Sequence, residues 1–396
     1  MRTQVGIVGA GPAGLLLSHL LARAGIESVV LEARSRVYVE QRIRAGVLEH
    51  PTVELLREVG LTERLDRQGM PHEGISLRFE GEDHRIDFAD LVGKRITVYG
   101  QQEVVKDLIA ARLADGGDIR FEVSDVVLDG IEGDAPVIGY TDAGGQRQEL
   151  HCDVIAGCDG FHGVSRGAFT PQVFDREYPF AWLGILAKAA PTHHELVYAN
   201  HPNGFALYSM RSPEVTRLYL QVPPETDAHT WSEAQIWDEL GTRLAAEGFS
   251  LNEGPLIEKG VTGMRSFVTE PMRHGRLFLA GDAAHIVPPT GAKGMNLAVA
   301  DVRVLSEALT AFLRHGDERG IDSYSETCLR RVWRAEHFSW WMTSMLHVAP
   351  HGDPFDRQLQ LSQLRYTVAS RAAATSLAEN YVGLPHSLAV DGGTAL

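Results

Sequence analysis

Cysteine, long apolar runs and excess positive charge are all scarce in this chain. Its three cysteines, Cys152, Cys158 and Cys328, are odd in number and lack the spacing of a metal site. This disfavours a disulfide framework and favours buried thiols in a reduced, cytoplasmic setting, with no metal. No run reaches the roughly 20 apolar residues of a spanning helix, so no membrane contact is expected. The net charge of −15 argues against nucleic acid and anionic membranes as partners, although local arginine clusters can still hold small anions.

Repeats and low-complexity linkers are also missing. With 44% hydrophobic and 22% charged residues, the 396-residue chain is typical of a globular protein of about two to three domains. The apolar stretch 5–21 is interrupted by Gly9, Gly11 and Gly14 and has no small-residue cleavage site, so no signal peptide is expected.

A glycine fingerprint near the N-terminus predicts a dinucleotide site. Gly9, Gly11 and Gly14 follow the strand-like run 3–8 and precede helical apolar periodicity over 15–24. The first glycine permits a tight turn, the second lets backbone approach a pyrophosphate, and the third lets the helix pack on the strand. An ordinary glycine-rich turn is the alternative. Glu32, which closes a second strand where an acid accepts ribose hydroxyls, favours the dinucleotide.

A second signal, Gly281 to His285 followed by Pro288 to Asn296, lies towards the other end of the chain. The pairing of the two signals resembles the pattern of flavoprotein hydroxylases. Between them, 180–267 alternates aromatic and aliphatic residues, which predicts a separate β-rich domain. We therefore predict an α/β protein, α+β overall, with a discontinuous Rossmann-like FAD-binding domain (1–175 and 266–345), a β-rich substrate domain (176–265) and a helical interface segment (346–396).

Over nearly its whole length, the chain resembles the class A flavoprotein aromatic hydroxylases. Beyond the glycine fingerprint, the resemblance is carried by Arg42 to Glu49, Asp159 to Arg166, Tyr198 to Pro202, Gly281 to Asn296 and Glu379 to Pro385. It implies non-covalent FAD, NADH or NADPH as electron donor, and dioxygen as co-substrate. It also implies oxygen transfer from a C4a-hydroperoxyflavin to an electron-rich aromatic ring, and a homodimer.

The resemblance further implies a route for the substrate's phenolic proton. Tyr198 matches the tyrosine that bonds the phenol, Tyr381 its partner, and His72 the outlet to solvent. Two phenols can pass a proton without a resident charge, and a histidine can exchange it near neutral pH. By the same resemblance, the Pro289 carbonyl faces the substrate hydroxyl and Asn296 orients the flavin side. Three ordinary half-buried residues are the alternative to the relay.

The substrate carboxylate is expected to meet Ser209, Arg211 and Tyr219, the residues that match the family's clamp. Alternation along a strand puts Ser209 and Arg211 on one face, and a guanidinium can bind a carboxylate bidentately. A surface salt bridge is the alternative for Arg211. Tyr208 stands where a smaller side chain is common, which we expect to alter the fit of flavin or substrate. The resemblance also implies 4-hydroxybenzoate as substrate, giving 3,4-dihydroxybenzoate, because the positions that match the family's pocket lining hold Trp182, Leu196, Leu207 and Thr290.

For FAD, the resemblance implies that Asp282 accepts ribityl hydroxyls, with capping of the next turn as the alternative. The helix beyond Gly291 turns its positive end towards the flavin, and Lys293 adds a cation. Arg217 matches an arginine that governs flavin movement. The full predicted set is Gly9, Gly11, Gly14, Glu32, Arg42, Arg44, Gln101, Asp159, Asp282, Lys293, Asn296 and Arg217.

The nicotinamide donor has no glycine fingerprint of its own, which predicts transient binding at the surface. The positions that match the family's donor contacts are His162, Arg166, Arg265, Arg34 and Tyr38, with Arg42 shared; solvated surface charges are the alternative. Ala33 and Glu40 disfavour a 2′-phosphate whereas Arg34 and Arg36 attract one, so we expect NADH or dual use.

Two rival classes stay open at this point. A flavin reductase or dehydrogenase would not need the Tyr198 and Tyr381 pair. A flavin-loaded sensor of an aromatic acid would bind ligand without steady turnover. Hydroxylases of 3-hydroxybenzoate or 4-aminobenzoate are nearer alternatives that only the pocket can separate.

Overall fold

The computed structural model describes residues 1–42, 46–350 and 352–385; Arg44, predicted to contact flavin, lies outside these ranges. The strands are β1 (Arg2–Val8), β2 (Ser28–Leu31), β3 (Val47–Leu48), β4 (Met70–His72), β5 (Gly74–Phe79), β6 (Glu82–Asp87), β7 (Ile96–Val98), β8 (Asp118–Arg120), β9 (Ser124–Asp129), β10 (Val137–Thr141), β11 (Arg147–Gly157), β12 (Gln172–Ala187), β13 (Leu196–His201), β14 (Gly204–Ser212), β15 (Val215–Val222), β16 (Leu256–Glu270), β17 (Arg273–His274), β18 (Leu277–Leu279) and β19 (His285–Ile286). The helices are α1 (Pro12–Arg23), α2 (Arg36–Gln41), α3 (His50–Glu58), α4 (Glu63–Gln68), α5 (Phe88–Val92), α6 (Gln101–Ala114), α7 (Glu233–Arg243), α8 (Gly294–His315), α9 (Arg319–Leu346), α10 (Pro354–Ala369) and α11 (Arg371–Val382).

The first sheet is built around β1, an almost entirely buried strand. β1 pairs in parallel with β2 on one side and with β11 on the other, and the order continues β17-β18-β11-β1-β2-β8. Because β1 and β2 are parallel, the chain must cross over between them, and α1 makes that crossover. The predicted strand–glycine–helix–strand unit is therefore present, and the α/β fold is confirmed.

The second sheet is largely antiparallel, in the order β19-β16-β12-β15-β14-β13-β5-β6. β12 runs beside β16 along most of its length, with a bulge between Glu177 and Ala181. β5 and β6 lie in the range predicted for the FAD domain but pair into this sheet, where β5 lies parallel to β13. The predicted domain boundaries stay a prediction.

Helix α9 ties the two cores together. Its first half contributes Cys328 and Val332 to the core around the first sheet, and its second half contributes Phe338 and Met342 to the core of the second. Beyond Met295 the chain continues into the long helices α8 and α9. The three cysteines are buried free thiols, as expected. Within the described ranges, no helix is long and apolar enough to cross a membrane.

Candidate active site

The glycine loop between β1 and α1 forms a cradle. Gly9 has φ +105°, and a side chain there would collide with the Cys158 carbonyl; a Cβ on Gly14 would overlap the Gly9 carbonyl. Gly11 differs, because a Cβ built on it meets no described atom within 4 Å. Gly11 is also the N-cap of α1 and has no side-chain cap. Open space over a helix N-terminus suits a pyrophosphate, so the cradle fits the predicted FAD.

Glu32 closes this loop from the end of β2. One carboxylate oxygen accepts the Ala10 N–H at 2.8 Å and the other accepts the Arg34 N–H at 2.8 Å. The carboxylate therefore stiffens the nucleotide loop, and each oxygen keeps a lone pair for a ribose hydroxyl. Gln101 is half-buried at the first position of α6, and Arg42 is exposed just after α2.

Two aspartates stand at the ends of neighbouring parallel strands, β11 and β18. Asp159 Oδ2 accepts both the N–H and the hydroxyl of Ser165 at 2.9 Å, whereas its enclosed Oδ1 has no hydrogen-bond partner among the described residues. Burial raises the pKa of Asp159. Asp282 is exposed in the turn Gly281–Ala283. Both acids lie at the carboxyl edge of the sheet, where ligands of such folds bind.

Lys293 is the N-cap of α8 and Asn296 lies in its first turn, but both side chains are bonded to other protein groups. The Lys293 ammonium donates to Glu49 Oε1 at 2.5 Å and to the carbonyl of Asn380. Burial lowers the pKa of Lys293, while the Glu49 carboxylate opposes this effect. The Asn296 amide accepts from Glu49 N–H and Thr52 hydroxyl. These bonds fix the helix start; direct flavin contact by either side chain stays a prediction.

Tyr198 and Tyr381, 183 residues apart in the chain, meet hydroxyl to hydroxyl. Tyr198 is on β13, Tyr381 is near the end of α11, and each is 1% exposed. Burial raises the pKa of both phenols, so both are neutral at neutral pH. A neutral hydroxyl both donates and accepts, which is what a proton relay requires.

His72 ends β4 and is 1% exposed. Neither of its ring nitrogens has a hydrogen-bond partner in the described part of the chain, and burial lowers its pKa to about 4. Its chain neighbours border an open cavity of about 390 Å³. The cavity is lined by Pro71, Glu73, Arg85, His193, His194 and Glu195.

One face of the second sheet forms a wall that carries the predicted clamp. Tyr198 pairs with Leu207, Leu207 with Tyr219, and Ser209 with Arg217, so these side chains project to the same side. The Ser209 hydroxyl donates to the Arg217 carbonyl at 2.8 Å. The remaining predicted lining residues, Trp182, Leu196 and Thr290, are buried.

Arg211 lies at a β-bulge, because the register between β14 and β15 shifts between Met210 and Ser212. A bulge re-aims a side chain, so strand alternation does not by itself determine its direction. Its Nη1 donates to the Met210 carbonyl at 3.0 Å, whereas the enclosed Nε has no partner among the residues described. A half-buried, incompletely bonded guanidinium fits an anionic ligand.

The side chain of Tyr208 is not part of this wall. It lies between Leu207 and Ser209 on β14 and therefore points to the opposite side of the sheet. Its hydroxyl accepts the N–H groups of Thr192 and His193 at 2.6 and 3.0 Å. The large side chain anchors the loop before β13, and this corrects the expectation that it alters the fit of flavin or substrate.

Pro289 occupies a short turn, Pro289–Gly291, directly before α8. Its ring is exposed, and its carbonyl accepts the Ala292 N–H at 3.0 Å. A carbonyl has two lone pairs, so one remains for the predicted substrate hydroxyl.

Three residues predicted for the nicotinamide donor gather around one ring. The guanidinium carbons of Arg166 and Arg265 lie 4.7 and 4.9 Å from the centroid of Phe161, and the His162 ring lies 5.0 Å away. Arg265 also pairs with the carboxylates of Asp175 and Glu177. An incoming pyrophosphate would have to compete with these acids.

The other predicted donor residues form a separate group on and beside α2. Arg34 and Arg42 lie 5.4 and 5.9 Å from the Tyr38 ring centroid. Arg36 pairs with Glu40 at 2.6 Å, which partly neutralises both. The structure therefore divides the predicted set between a group around Phe161, whose two arginines are half-buried, and an exposed group around Tyr38.

The sequence prediction gave no role to Glu49 or Gly184. Glu49 ends the 42–49 motif, directly after an apolar stretch. An acid in that position was the sequence signal that could have indicated a buried carboxylate. A Cβ on Gly184 would lie 2.9 Å from Arg217 Nη2 and 3.4 Å from Tyr219. Gly184 thus makes room for the wall side chains, and no local sequence pattern marks it.

Comparison with known proteins identifies the family. The family model for the FAD binding domain matches residues 2–339. The chain is 50% identical over 394 residues to p-hydroxybenzoate hydroxylase of Acinetobacter baylyi, covering 98% of this chain and 97% of that protein. It is also 25% identical to a probable NADH-specific resorcinol 4-hydroxylase of Rhodococcus jostii, covering 81% of this chain and 61% of the relative.

Solved structures agree on the fold. The crystal structure of p-nitrophenol 4-monooxygenase from Pseudomonas putida superposes with a TM-score of 0.82 at 21% identity, covering 97% of this chain and 99% of that one. Aklavinone-11 hydroxylase, solved with FAD and aklavinone, gives 0.74 at 23% identity over 88% and 70% of the two chains. The chain therefore belongs to the FAD-binding family of flavin-dependent monooxygenases that includes p-hydroxybenzoate hydroxylase.

Proposed function

We propose that this enzyme hydroxylates 4-hydroxybenzoate at C3 to give 3,4-dihydroxybenzoate, with non-covalent FAD, NADH or NADPH, and dioxygen. The observation that carries the substrate assignment is the buried contact between the hydroxyls of Tyr198 and Tyr381. A reductase has no use for two neutral phenols enclosed beside an arginine-bearing wall. A hydroxylase of a phenol does, because a phenolate ring is the better nucleophile.

The wall orients the substrate by its two polar ends. Arg211 takes the carboxylate, with Ser209 and Tyr219 as directional partners, and the phenol then reaches Tyr198 at the far end of the same face. Desolvation lowers the pKa of Arg211, but an arginine stays charged in proteins. A bound carboxylate compensates the free-energy cost of burying the Arg211 guanidinium. The site therefore binds an aromatic acid more tightly than a neutral phenol.

Deprotonation follows from the hydroxyl pair. The substrate O–H donates its proton to Tyr198 Oη as Tyr198 passes its own proton to Tyr381 Oη and Tyr381 releases its own towards His72, so neither tyrosine carries a lasting charge. His72, neutral because burial lowers its pKa to about 4, accepts and releases the proton beside the open cavity. The Pro289 carbonyl aligns the substrate hydroxyl from the other side.

The glycine cradle, Glu32, Asp159 and Asp282 would hold FAD, which supplies the electrophilic oxygen when bound. Around it, Gln101, Arg42, Arg44 and the start of α8 at Lys293 and Asn296 complete the proposed binding set. Arg217 Nη1 is enclosed and unpartnered among the described residues, which supports a role in switching between two flavin positions. His162, Arg166 and Arg265, with Arg34 and Tyr38, would receive the electron donor.

The experiment is oxygen uptake by the purified protein with 4-hydroxybenzoate, run with NADH and with NADPH, and with product identified by chromatography. Substrate-accelerated donor oxidation with formation of 3,4-dihydroxybenzoate is the expected result. Donor consumption without hydroxylated product would assign the pocket to a reductase or to another aromatic acid. Binding without turnover would assign it to a sensor. The same runs with 3-hydroxybenzoate and 4-aminobenzoate separate the nearer alternatives.

We also propose a cytoplasmic homodimer. Phe355, Leu359 and Tyr366 are 68%, 56% and 58% exposed and share one face of α10, and Trp340 on α9 is 41% exposed. Large apolar side chains on one helical face are typical of an interface. Analytical ultracentrifugation of wild type and Leu359→Glu tests this: a dimer that dissociates in the variant is expected, and a monomeric wild type would contradict it.

A further inference from the structure

A buried hydrogen bond joins the substrate wall to the end of α9. Trp182 lies on β12 beside Tyr219, with the two ring centroids 4.8 Å apart. Its indole Nε1 donates to His347 Nε2 at 2.7 Å. Trp182 and His347 are 4% and 3% exposed, so water does not compete for the bond.

The tautomer of His347 follows from its second contact. Nδ1 lies 3.0 Å from the Thr343 carbonyl, and a carbonyl can only accept, so Nδ1 carries the proton and Nε2 presents its lone pair to the indole. Burial lowers the pKa of His347 to about 3. The ring therefore stays a neutral acceptor at neutral pH.

His347 is itself held rigidly. Its ring stacks on Phe180 at 4.7 Å and on Phe205 at 4.3 Å between centroids. One turn earlier, the Thr343 hydroxyl donates to Thr290 Oγ1 at 2.9 Å. A continuous line of buried contacts thus runs from the Pro289–Gly291 turn, through α9, to the Trp182 indole.

We propose that His347 is a positioning residue that fixes the Trp182 indole against Tyr219 and thereby sets which aromatic rings the pocket accepts. The inference rests on the proposed function, because it assumes that the wall faces an aromatic acid. Without its acceptor, the indole must either leave an N–H unpaired in the interior or rotate to find another partner. Rotation of a ring as large as indole changes the shape of the wall.

The test compares variants of the FAD-loaded enzyme that differ in the acceptor alone. His347→Phe keeps an aromatic ring between Phe180 and Phe205 but removes the acceptor, whereas His347→Gln restores one through its amide oxygen. Trp333→Phe is the matched control, since the Trp333 indole donates to Glu270 at 2.5 Å on the surface. Dissociation constants for 4-hydroxybenzoate and for the wider 6-hydroxy-2-naphthoate come from equilibrium dialysis. NMR of ¹⁵N-labelled indoles reports the Trp182 N–H.

His347→Phe is expected to bind 4-hydroxybenzoate about tenfold more weakly, the scale of one lost buried hydrogen bond. It should discriminate less against the naphthoate, and its Trp182 N–H signal should move. His347→Gln should stay within about threefold of wild type, and Trp333→Phe should match wild type. An unmoved Trp182 signal in His347→Phe, or equal losses in the Phe and Gln variants, would overturn the proposal.

If His347→Phe does not fold, Trp182→Phe removes the donor instead. It should show the same loss of affinity, and adding His347→Gln to it should cost nothing more, because the two residues act as a pair. A further loss in the double variant would overturn the proposal. Failure of the proposed function is distinguishable: wild type would then not bind 4-hydroxybenzoate, while the indole signals would still report whether His347 holds Trp182.

Discussion

Lys293 donates to Glu49 across 2.5 Å in the protein interior, although the two residues are 244 positions apart in the chain. The same ammonium donates to the Asn380 carbonyl and, at 3.3 Å, to the carbonyl of Tyr381. The pair therefore ties the start of α8 to the end of α11, the helix that carries the second phenol of the proposed relay. Removal of either charge is therefore expected to lower the stability of the protein and to shift Tyr381.

Replacing Glu49 with Gln should destabilise the protein by about 3 kcal/mol, because removal of one partner leaves a buried charge uncompensated. Urea unfolding at neutral pH measures the change. Glu54→Gln is the matched control, since the Glu54 pair with Arg57 has both side chains 47% exposed and should be worth less than about 1 kcal/mol. Equal losses in the two variants would show that the Lys293 ammonium is not held by Glu49.

Tyr198→Phe should leave the dissociation constant of 4-hydroxybenzoate within a few-fold but slow hydroxylation by about 100-fold or more, the usual size of a lost proton-transfer step. The phenyl ring keeps the packing, whereas the link to the Tyr381 hydroxyl is lost. Rapid-mixing kinetics with product analysis provides the measurement. Tyr324→Phe is the control, because it removes a buried hydroxyl that donates to Leu279 at 2.8 Å in the other core. An unchanged rate and yield of product in Tyr198→Phe would exclude Tyr198 from the proposed proton relay.

Local sequence patterns were sufficient where the chemistry depends on one continuous segment. Gly9, Gly11 and Gly14 each occupy the conformation or the space that the fingerprint assigns to them. The same holds for α8, which begins at Gly294 just past the predicted turn. The meeting of Tyr198 with Tyr381 followed from resemblance alone, since no local pattern relates residues so far apart.

Features that depend on distant packing or on a break in strand register escaped prediction. Arg211 owes its direction to a bulge, Gly184 matters only because Arg217 and Tyr219 cross beside it, and His347 meets Trp182 through the path of α9. The pairing of β5 with β13 is likewise a matter of long-range register. Periodicity reports which face of an element is buried, but not which element covers it.

Gly11→Ala should fold normally and lose FAD. No described atom lies within 4 Å of the added methyl, so the apoprotein has room for it, whereas a pyrophosphate on the loop would not. We expect FAD affinity to fall by at least about tenfold, as for a close backbone approach that is blocked. Fluorescence titration of the apoprotein with FAD measures it. Gly167→Ala, equally unobstructed in the structure, is the control, and retention of full FAD affinity by Gly11→Ala would place the pyrophosphate elsewhere.

Two of the buried histidines, His72 and His347, should make the protein sensitive to acid. Burial lowers the pKa of His72 to about 4 and that of His347 to about 3, whereas in the unfolded chain both have the ordinary histidine pKa of about 6.5. Below about pH 6.5 these histidines therefore bind protons in the unfolded state but not in the folded state. Stability falls with decreasing pH until the folded pKa is reached, by up to about 1.4 kcal/mol per pH unit for each histidine.

Urea unfolding between pH 7 and pH 5 tests this. His347→Gln removes one of these two histidines, so its loss of stability over this range should be smaller than that of wild type by about 1 to 2 kcal/mol. His315→Gln replaces an exposed ring on α8 that is solvated in both states, and it should follow wild type. The decisive observation is whether His347→Gln loses less or more stability in acid than wild type. If His347→Gln lost more stability in acid than wild type, His347 would have to be protonated in the folded protein, which would conflict with its role as acceptor for Trp182.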